Sequence, residues 1–155
     1  MNRFVTLTSI HLARAPVLAV ALMAFPALGD PGTALVREPA MLEVGGKQWS
    51  LFGIRGLAPD ATCVRDGAPF DCADHATEVL ARFIGGRRVV CEPRGAEAEG
   101  AVPGVCSAGG EDIGAWLVRQ GWAFADARVS VNYIVDENYA RMRQVGLWRP
   151  GTELR

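Results

Sequence analysis

The sequence lacks the cysteine and histidine spacings that usually mark a zinc site. It contains four cysteines but no C-x-x-C pair, and His75 is the only histidine beyond the N-terminal segment. A structural zinc ion is normally held by four cysteine or histidine side chains, so a zinc site is not expected. The number of cysteines is even and the chain begins like an exported protein, so disulfides are expected instead. The cysteines are Cys63, Cys72, Cys91 and Cys106.

The partners of these cysteines are not fixed by their order, because four cysteines allow three sets of two disulfides. In one of these sets, Cys63–Cys72 would close a loop and Cys91–Cys106 would join two neighbouring predicted strands. Each closure would stabilise the folded chain by roughly 3 kcal/mol in the chain-entropy model. The composition therefore predicts two disulfides and leaves the pairing open.

The sequence also lacks an excess of positive charge. It has 16 Lys and Arg against 17 Asp and Glu, a net charge of −1. Without Arg3 and Arg14, which precede the expected mature chain, the count is 14 against 17 and the net charge is near −3. Proteins that bind nucleic acid through broad electrostatic attraction are usually basic. That class is therefore not indicated, although a local basic patch is not excluded.

No long apolar run follows the first 29 residues, so no transmembrane segment is expected in the mature chain. Residues 1–29 have the pattern of a signal peptide, with a basic start and an apolar stretch over 15–29. The small residues Ala27 and Gly29 precede the expected cleavage site at Asp30. Retention of this segment as an N-terminal anchor is the alternative.

The mature chain is long enough for one domain with its own core. Residues 30–34 are predicted to be a linker and 35–155 an exported domain, periplasmic or extracellular. Hydrophobic periodicity predicts strands over 35–44, 47–54, 87–93 and 102–108, with a loop over 55–71. It also predicts three helices: the first over 73–84, the second ending directly before Gly121, and the third over 131–148. This order of short strands and interspersed helices is typical of a small antiparallel barrel with helices packed on it.

Local signals support these helices. Asp71 and Ser130 are expected to cap the first and the third helix. The first helix is expected to bury Ala76, Leu80, Phe83 and Ile84. The spacing of Ile113, Trp116 and Leu117 predicts one apolar face on the second helix. Glu137 and Arg141 stand four residues apart, a spacing that favours an ion pair on a helix surface. His75 is expected to lie on the surface of the first helix and not to act as a catalytic base.

Five segments of the chain also match a set of known motifs. They are SLFGI (50–54) with the following Ala58-Pro59-Asp60, CADHATEVL (72–80), RRVVCEP (87–93), EDIGAWLVRQGWAFA (111–125) and YIVDENYARMRQVGLW (133–148). Together they resemble the thermonuclease (staphylococcal nuclease-like) family, especially its exported bacterial branch, over roughly residues 35–149. The resemblance implies a mainly β fold with α (α+β), a five-stranded OB-type barrel packed with three helices. It also implies the pairings Cys63–Cys72 and Cys91–Cys106.

Members of this family cleave phosphodiester bonds with the help of calcium, so the resemblance implies DNA or RNA as substrate. Two arginines hold the phosphate as negative charge develops on it. Carboxylates bind Ca²⁺ through their oxygens, and a glutamate positions or deprotonates the attacking water. The resemblance therefore makes calcium the expected cofactor if the protein is active.

The positions that carry this chemistry are all replaced in this sequence. Ser50 and Ala101 stand where the family has its phosphate arginines. The metal aspartates fall near Ala40 and at Arg55, and the general-base glutamate is the shorter Asp60, after an insertion of two residues. Loss of one preorganised donor costs about 2.7–4 kcal/mol of transition-state stabilisation. The replacements therefore predict a pseudoenzyme that has lost the family reaction.

Three functional hypotheses follow. The first is a non-catalytic exported binding or structural module with no cofactor and an unknown partner. The second is a weak or altered calcium-dependent nuclease that uses acidic and basic groups around the loop, namely Asp60, Asp66, Asp71, Asp74, Arg55 and Arg65. The third is a module that binds single-stranded nucleic acid or an oligosaccharide, which would require an exposed aromatic side chain such as Trp49 or Phe52.

Overall fold

The computed structural model describes residues 32–155, and the predicted signal peptide over 1–29 lies outside the described residues. The strands in the described part are β1 (Ala34–Glu38), β2 (Met41–Val44), β3 (Lys47–Leu51), β4 (Ile54–Arg55), β5 (Thr62–Arg65), β6 (Ala68–Asp71), β7 (Val89–Pro93), β8 (Val102–Ala108), β9 (Glu111–Asp112), β10 (Phe124–Ala125) and β11 (Thr152–Leu154). The helices there are α1 (Cys72–Ile84), α2 (Ile113–Arg119) and α3 (Ile134–Arg143), with a 3₁₀ turn at Gly146–Trp148. The predicted mixture of strands and three helices is confirmed.

The largest sheet is a curled half-barrel of five strands. Its strand order is β1-β2-β3-β8-β7, with the short β9 attached to β8. Strands β3 and β8 run parallel, and the other neighbours in this sheet are antiparallel. The β2–β3 hairpin turns at Gly45 and Gly46, whose φ angles of 60° and 77° are accessible to glycine at little cost. Two smaller sheets have the strand orders β10-β4 and β11-β5-β6.

Helix α1 has the capping and the buried face that the sequence predicts. The Asp71 carboxylate accepts a hydrogen bond of 2.8 Å from the Asp74 backbone N–H. The helix ends at Gly85, which adopts the left-handed conformation. Its inward face buries the predicted residues Ala76, Leu80, Phe83 and Ile84. These side chains join α1 to the core that the sheet also lines.

Helix α2 closes another side of the same core. Ile113 and Leu117 are completely buried. Trp116 stacks on Phe83 of α1, with 3.9 Å between the ring centroids. Gly121 follows the helix with a φ of 74°, as expected for a left-handed residue after a helix end. The apolar stripe of α2 therefore has the register that its sequence predicts.

Two predicted segments differ from the structure in their extent. The strand expected over 35–44, with an interruption near Pro39, is a hairpin of β1 and β2, because the chain reverses at this interruption, where Ala40 has a φ of 68°. The loop expected over 55–71 contains the hairpin of β5 and β6, which turns at Asp66 and Gly67. Strand β11, which pairs with β5, was not predicted. Its short polar sequence has no periodic apolar pattern, so tertiary pairing alone makes it a strand.

Helix α3 is shorter than the predicted helix over 131–148. It begins at Ile134 and ends at Arg143. Ser130 does not cap it, because its hydroxyl accepts a hydrogen bond from the Asn132 backbone N–H at 3.2 Å, before the helix starts. Gln144 has a φ of 51° and terminates the helix, so the following apolar residues form the separate 3₁₀ turn.

Two disulfides join the pairs that the resemblance implied. Cys63–Cys72 ties β5 to the start of α1, and Cys91–Cys106 joins directly opposed residues of β7 and β8. No cysteine is free within residues 32–155. Over the same range, none of the helices has both the length and the apolar character needed to cross a bilayer.

Candidate functional site

The two positions that the resemblance assigns to phosphate arginines lie in one pocket. Ser50 on β3 is opposite Met41 of β2 and Pro103 of β8, and Ala101 directly precedes β8. The pocket has a volume of about 250 Å³ and is lined by Met41, Ser50, Ala98, Glu99, Ala101 and Pro103. No side chain of this lining is basic, and Glu99 is acidic. A bound phosphate would therefore receive no charge-assisted hydrogen bond from the lining side chains and would face a carboxylate.

The two positions assigned to metal aspartates also come together. Ala40 is buried in the turn between β1 and β2. A Cβ added to Gly56 would lie 2.9 Å from the Ala40 Cβ and 2.3 Å from the Pro39 carbonyl oxygen. The end of β4 therefore packs against this turn, and Arg55 is the residue before Gly56. The side chains at these positions are a methyl group and a guanidinium, and neither can coordinate a cation.

Asp60, at the position of the general base, lies in a different pocket from Ser50 and Ala101. This second pocket has a volume of about 440 Å³ and is lined by Arg55, Gly56, Leu57, Ala58, Asp60, Ala61, Phe124, Leu154 and Arg155. Arg55 and Phe124 are opposed in the β4–β10 pair, and the guanidinium lies over the aromatic ring, 5.3 Å from its centroid. With the short side chains that this chain carries, the phosphate positions and the base position line two different pockets.

The other aspartates of the altered-nuclease hypothesis do not assemble a metal site. Asp66 lies in the β5–β6 turn, Asp71 caps α1 and Asp74 is in the first turn of that helix. Within residues 32–155, no three His, Cys, Asp or Glu side chains are grouped so that they could hold a metal ion. These aspartates therefore have the turn and capping positions that are common for the residue type.

The aromatic residues of the third hypothesis are largely covered. Trp49 is buried, and a Cβ added to Gly104 would lie only 2.6 Å from the Trp49 ring. The Gly104 backbone of β8 therefore packs against the ring, and Lys47 Nζ also lies over it, 5.1 Å from its centroid. Phe52 is half-buried. Strand β3 does not present Trp49 as a stacking surface for a base or a sugar.

A third pocket was missed by the sequence analysis. It has a volume of about 460 Å³ and is lined by Arg65, His75, Trp122, Gln144, Val145, Gly146 and Arg149. His75 is exposed on α1, as predicted, but it shares this pocket with two arginines. Arg55 and Arg65 line separate pockets. The residues of the third pocket come from four separate parts of the chain, and no local pattern connects them.

A partly buried polar contact joins the starts of α2 and α3. Asp112 caps α2 by accepting a 2.9 Å hydrogen bond from the Ala115 backbone N–H, and it accepts a second one of 3.1 Å from the Tyr133 hydroxyl. Burial, together with the negative charge of Asp112, raises the pKa of Tyr133 well above its usual range. Tyr133 is therefore a fixed hydrogen-bond donor near neutral pH and not a general base. The sequence carried a signal for this cap, because an aspartate directly precedes the apolar stripe of α2.

Comparison of the sequence with models of known protein families gives no match, and comparison with curated proteins gives none either.

Proposed function

We propose that this chain is an exported relative of the thermonuclease family that has lost phosphodiester hydrolysis and acts as a non-catalytic binding or structural module. The motifs that extend over roughly residues 35–149 support the family assignment. The single observation that carries the loss of hydrolysis is the pocket between Ser50 and Ala101, which has no basic side chain.

A five-stranded OB-type barrel is the architecture that we propose for the large sheet. In an OB-fold the sheet curls into a partly open barrel, and this curling brings its two outer strands towards each other. The backbone N–H of Val89, at the start of β7, donates a 2.9 Å hydrogen bond to the carbonyl of Gly32, shortly before β1. Strands β1 and β7 are the two outer strands of the sheet. This contact and the parallel β3–β8 pairing support closure into a barrel.

The energetics favour an inactive domain over a slow enzyme. Each missing arginine removes a preorganised donor, and each such donor supplies about 2.7–4 kcal/mol in the transition state. This corresponds to about 10²–10³ in rate for each position, although such effects are often not additive. The guanidinium of Arg55 also places a positive charge where the family would bind Ca²⁺, so electrostatic repulsion opposes metal binding.

The two disulfides support export. Disulfides form and persist in oxidising compartments such as the periplasm or the extracellular space. The signal peptide predicted over 1–29 is consistent with the same route. We therefore propose a periplasmic or extracellular location.

A weak or altered calcium-dependent nuclease is the alternative, and one observation favours it. Arg55 and Asp60 share a pocket with Arg155. The guanidinium groups could hold a phosphate there, and the Asp60 carboxylate could position a water molecule.

A cleavage assay separates the two proposals. The oxidised protein is incubated with single- and double-stranded DNA and with RNA, in Ca²⁺ and in EDTA. The non-catalytic proposal predicts no cleavage above the buffer blank in either condition. Asp66→Ala is the control, because Asp66 is exposed and lies outside the pocket. Calcium-dependent cleavage would overturn the non-catalytic proposal and support the alternative if Asp60→Ala abolished it and Asp66→Ala did not.

A further inference from the structure

We propose that the pocket between Arg65, His75 and Arg149 is a binding site for a phosphate group, either free or carried by a monoester. The pocket has a volume of about 460 Å³, and none of its lining residues is acidic. The residues at the proposed nuclease positions, Ser50, Arg55, Asp60 and Ala101, do not line this pocket. The inference therefore does not depend on the family resemblance or on the loss of hydrolysis.

Arg65 is held in place at one wall of this pocket. Its Nε donates to the Thr152 hydroxyl at 3.1 Å, and its Nη2 donates to the Gly146 carbonyl at 3.3 Å. The guanidinium also lies over the Phe70 ring, 4.8 Å from the centroid. A guanidinium has five N–H donors, so about three remain for a ligand after these two bonds. Because the side chain is already ordered, little conformational entropy is lost when an anion binds.

His75 is also fixed by packing. Its ring centroid lies 4.6 Å from that of the buried Trp122 and 6.4 Å from that of Phe70. The imidazole therefore occupies a defined position between two aromatic side chains. Within residues 32–155, neither ring nitrogen of His75 forms a hydrogen bond.

The arginines of this pocket differ from most arginines of the domain. In the described part of the chain, eight arginines form salt bridges, which are Arg37, Arg82, Arg87, Arg94, Arg119, Arg128, Arg141 and Arg155. Neither Arg65 nor Arg149 is among them. Two guanidinium groups that line one pocket without a carboxylate repel each other, and a bound anion would relieve this repulsion. Guanidinium groups also match the geometry of phosphate oxygens, which accept paired N–H donors.

The test is calorimetric titration of the oxidised full-length protein with inorganic phosphate at constant ionic strength, with sodium chloride as the blank. Arg149→Gln removes one exposed guanidinium of the pocket. Arg143→Gln is the matched control, because Arg143 is exposed on α3, outside the pocket, and forms no salt bridge within residues 32–155. We expect saturable binding by the natural protein, at least about tenfold weaker binding by Arg149→Gln and a change of less than about twofold in Arg143→Gln.

A second arm distinguishes the two sources of the phosphate group. Glycerol phosphate that binds about tenfold more tightly than inorganic phosphate would identify a monoester as the ligand, and equal affinity would identify the free anion. Amide chemical-shift changes at His75 and Gly146 on addition of phosphate would place either ligand in this pocket. Heat no greater than that of the chloride blank would overturn the proposal, and so would an equal loss of affinity in Arg149→Gln and Arg143→Gln.

Discussion

Ala40 and Ala101 are 7% and 5% exposed, so both are part of the packed interior and not of an open binding surface. The same two positions would carry a metal ligand and a phosphate ligand in an active member of the proposed family. A short apolar side chain at each position allows the turn after β1 and the start of β8 to pack closely. The residues at these two proposed family positions are therefore part of the packing of this domain.

Tyr133 provides a prediction at the scale of one hydroxyl group. Tyr133→Phe removes the donor to the Asp112 carboxylate and should lower the free energy of unfolding by about 1.5 kcal/mol. Tyr139→Phe is the matched control, because Tyr139 is 44% exposed and its hydroxyl makes no hydrogen bond within the described part of the chain. Urea unfolding should show a change of less than about 0.5 kcal/mol for the control. Equal effects of the two variants would contradict the assignment.

The pH dependence of Tyr133 has a definite sign. Its pKa is raised in the folded state by burial and by Asp112, above the ordinary value of about 10 for tyrosine. The folded state thus holds the Tyr133 proton more tightly than the unfolded state. The contribution of the protonated hydroxyl to the free energy of unfolding is therefore complete below about pH 10 and is lost as the pH rises through the folded-state pKa. The chain has 2 tyrosines, so Tyr139→Phe leaves Tyr133 alone. Its phenolate absorbance should appear only above about pH 10. Phenolate formation at or below that pH in the folded protein would refute the shift.

At the scale of elements, α1, α2 and the central strands were predictable because their signals are local. Asp71 and Gly85 delimit α1, and the spacing of Ile113, Trp116 and Leu117 gives the buried face of α2. The hairpin β5–β6 and strand β11 were not predictable, because their polar residues become strands only through pairing with one another. The pocket around Arg65 depends on that pairing and was missed for the same reason.

The attachment of α3 to the neighbouring strand depends on Glu137. Its carboxylate accepts a 2.7 Å hydrogen bond from the Ala125 backbone N–H of β10 and a 3.0 Å bond from Arg141 Nε. Glu137→Ala leaves the Ala125 donor without its partner and should reduce the free energy of unfolding by about 1.5–3 kcal/mol. Glu78→Ala breaks the exposed Glu78–Arg82 pair on α1 and should cost less than about 1 kcal/mol. Chemical denaturation measures the free energy of unfolding of both variants. Equal losses in Glu137→Ala and Glu78→Ala would contradict this role of Glu137.

The Cys63–Cys72 disulfide connects another pair of elements. Both cysteines are fully buried, and the bond closes a loop with a sequence separation of 9 between β5 and α1. Replacement of both residues by alanine should lower the free energy of unfolding by about 2–4 kcal/mol in the chain-entropy model. Thermal unfolding of the natural protein and of the double variant, both with Cys91–Cys106 oxidised, measures the effect. An unchanged midpoint in the double variant would contradict it.

At the scale of the whole molecule, the candidate functional side chains lie in separate pockets. The pocket of Ser50 and Ala101 has an acidic and apolar lining, that of Arg55 and Asp60 has mixed charge, and that of Arg65 has only neutral and basic side chains. A nuclease of the proposed family needs phosphate clamp, metal ligands and base in one place. The fold is compatible with an OB-type barrel, whereas the charges are distributed in a way that does not support the reaction of the proposed family.

The measurement that tests this account most directly compares the natural protein with a restored variant in a calcium-dependent DNA cleavage assay. The variant combines Ser50→Arg, Ala101→Arg, Ala40→Asp and Arg55→Asp. Aspartate suits position 40, because it tolerates the left-handed backbone found there better than alanine does. We expect no cleavage by the natural protein and measurable calcium-dependent cleavage by the variant. Calcium-dependent cleavage by the natural protein, or a folded variant that remains inert, would contradict the claim that a thermonuclease scaffold has lost its catalytic groups.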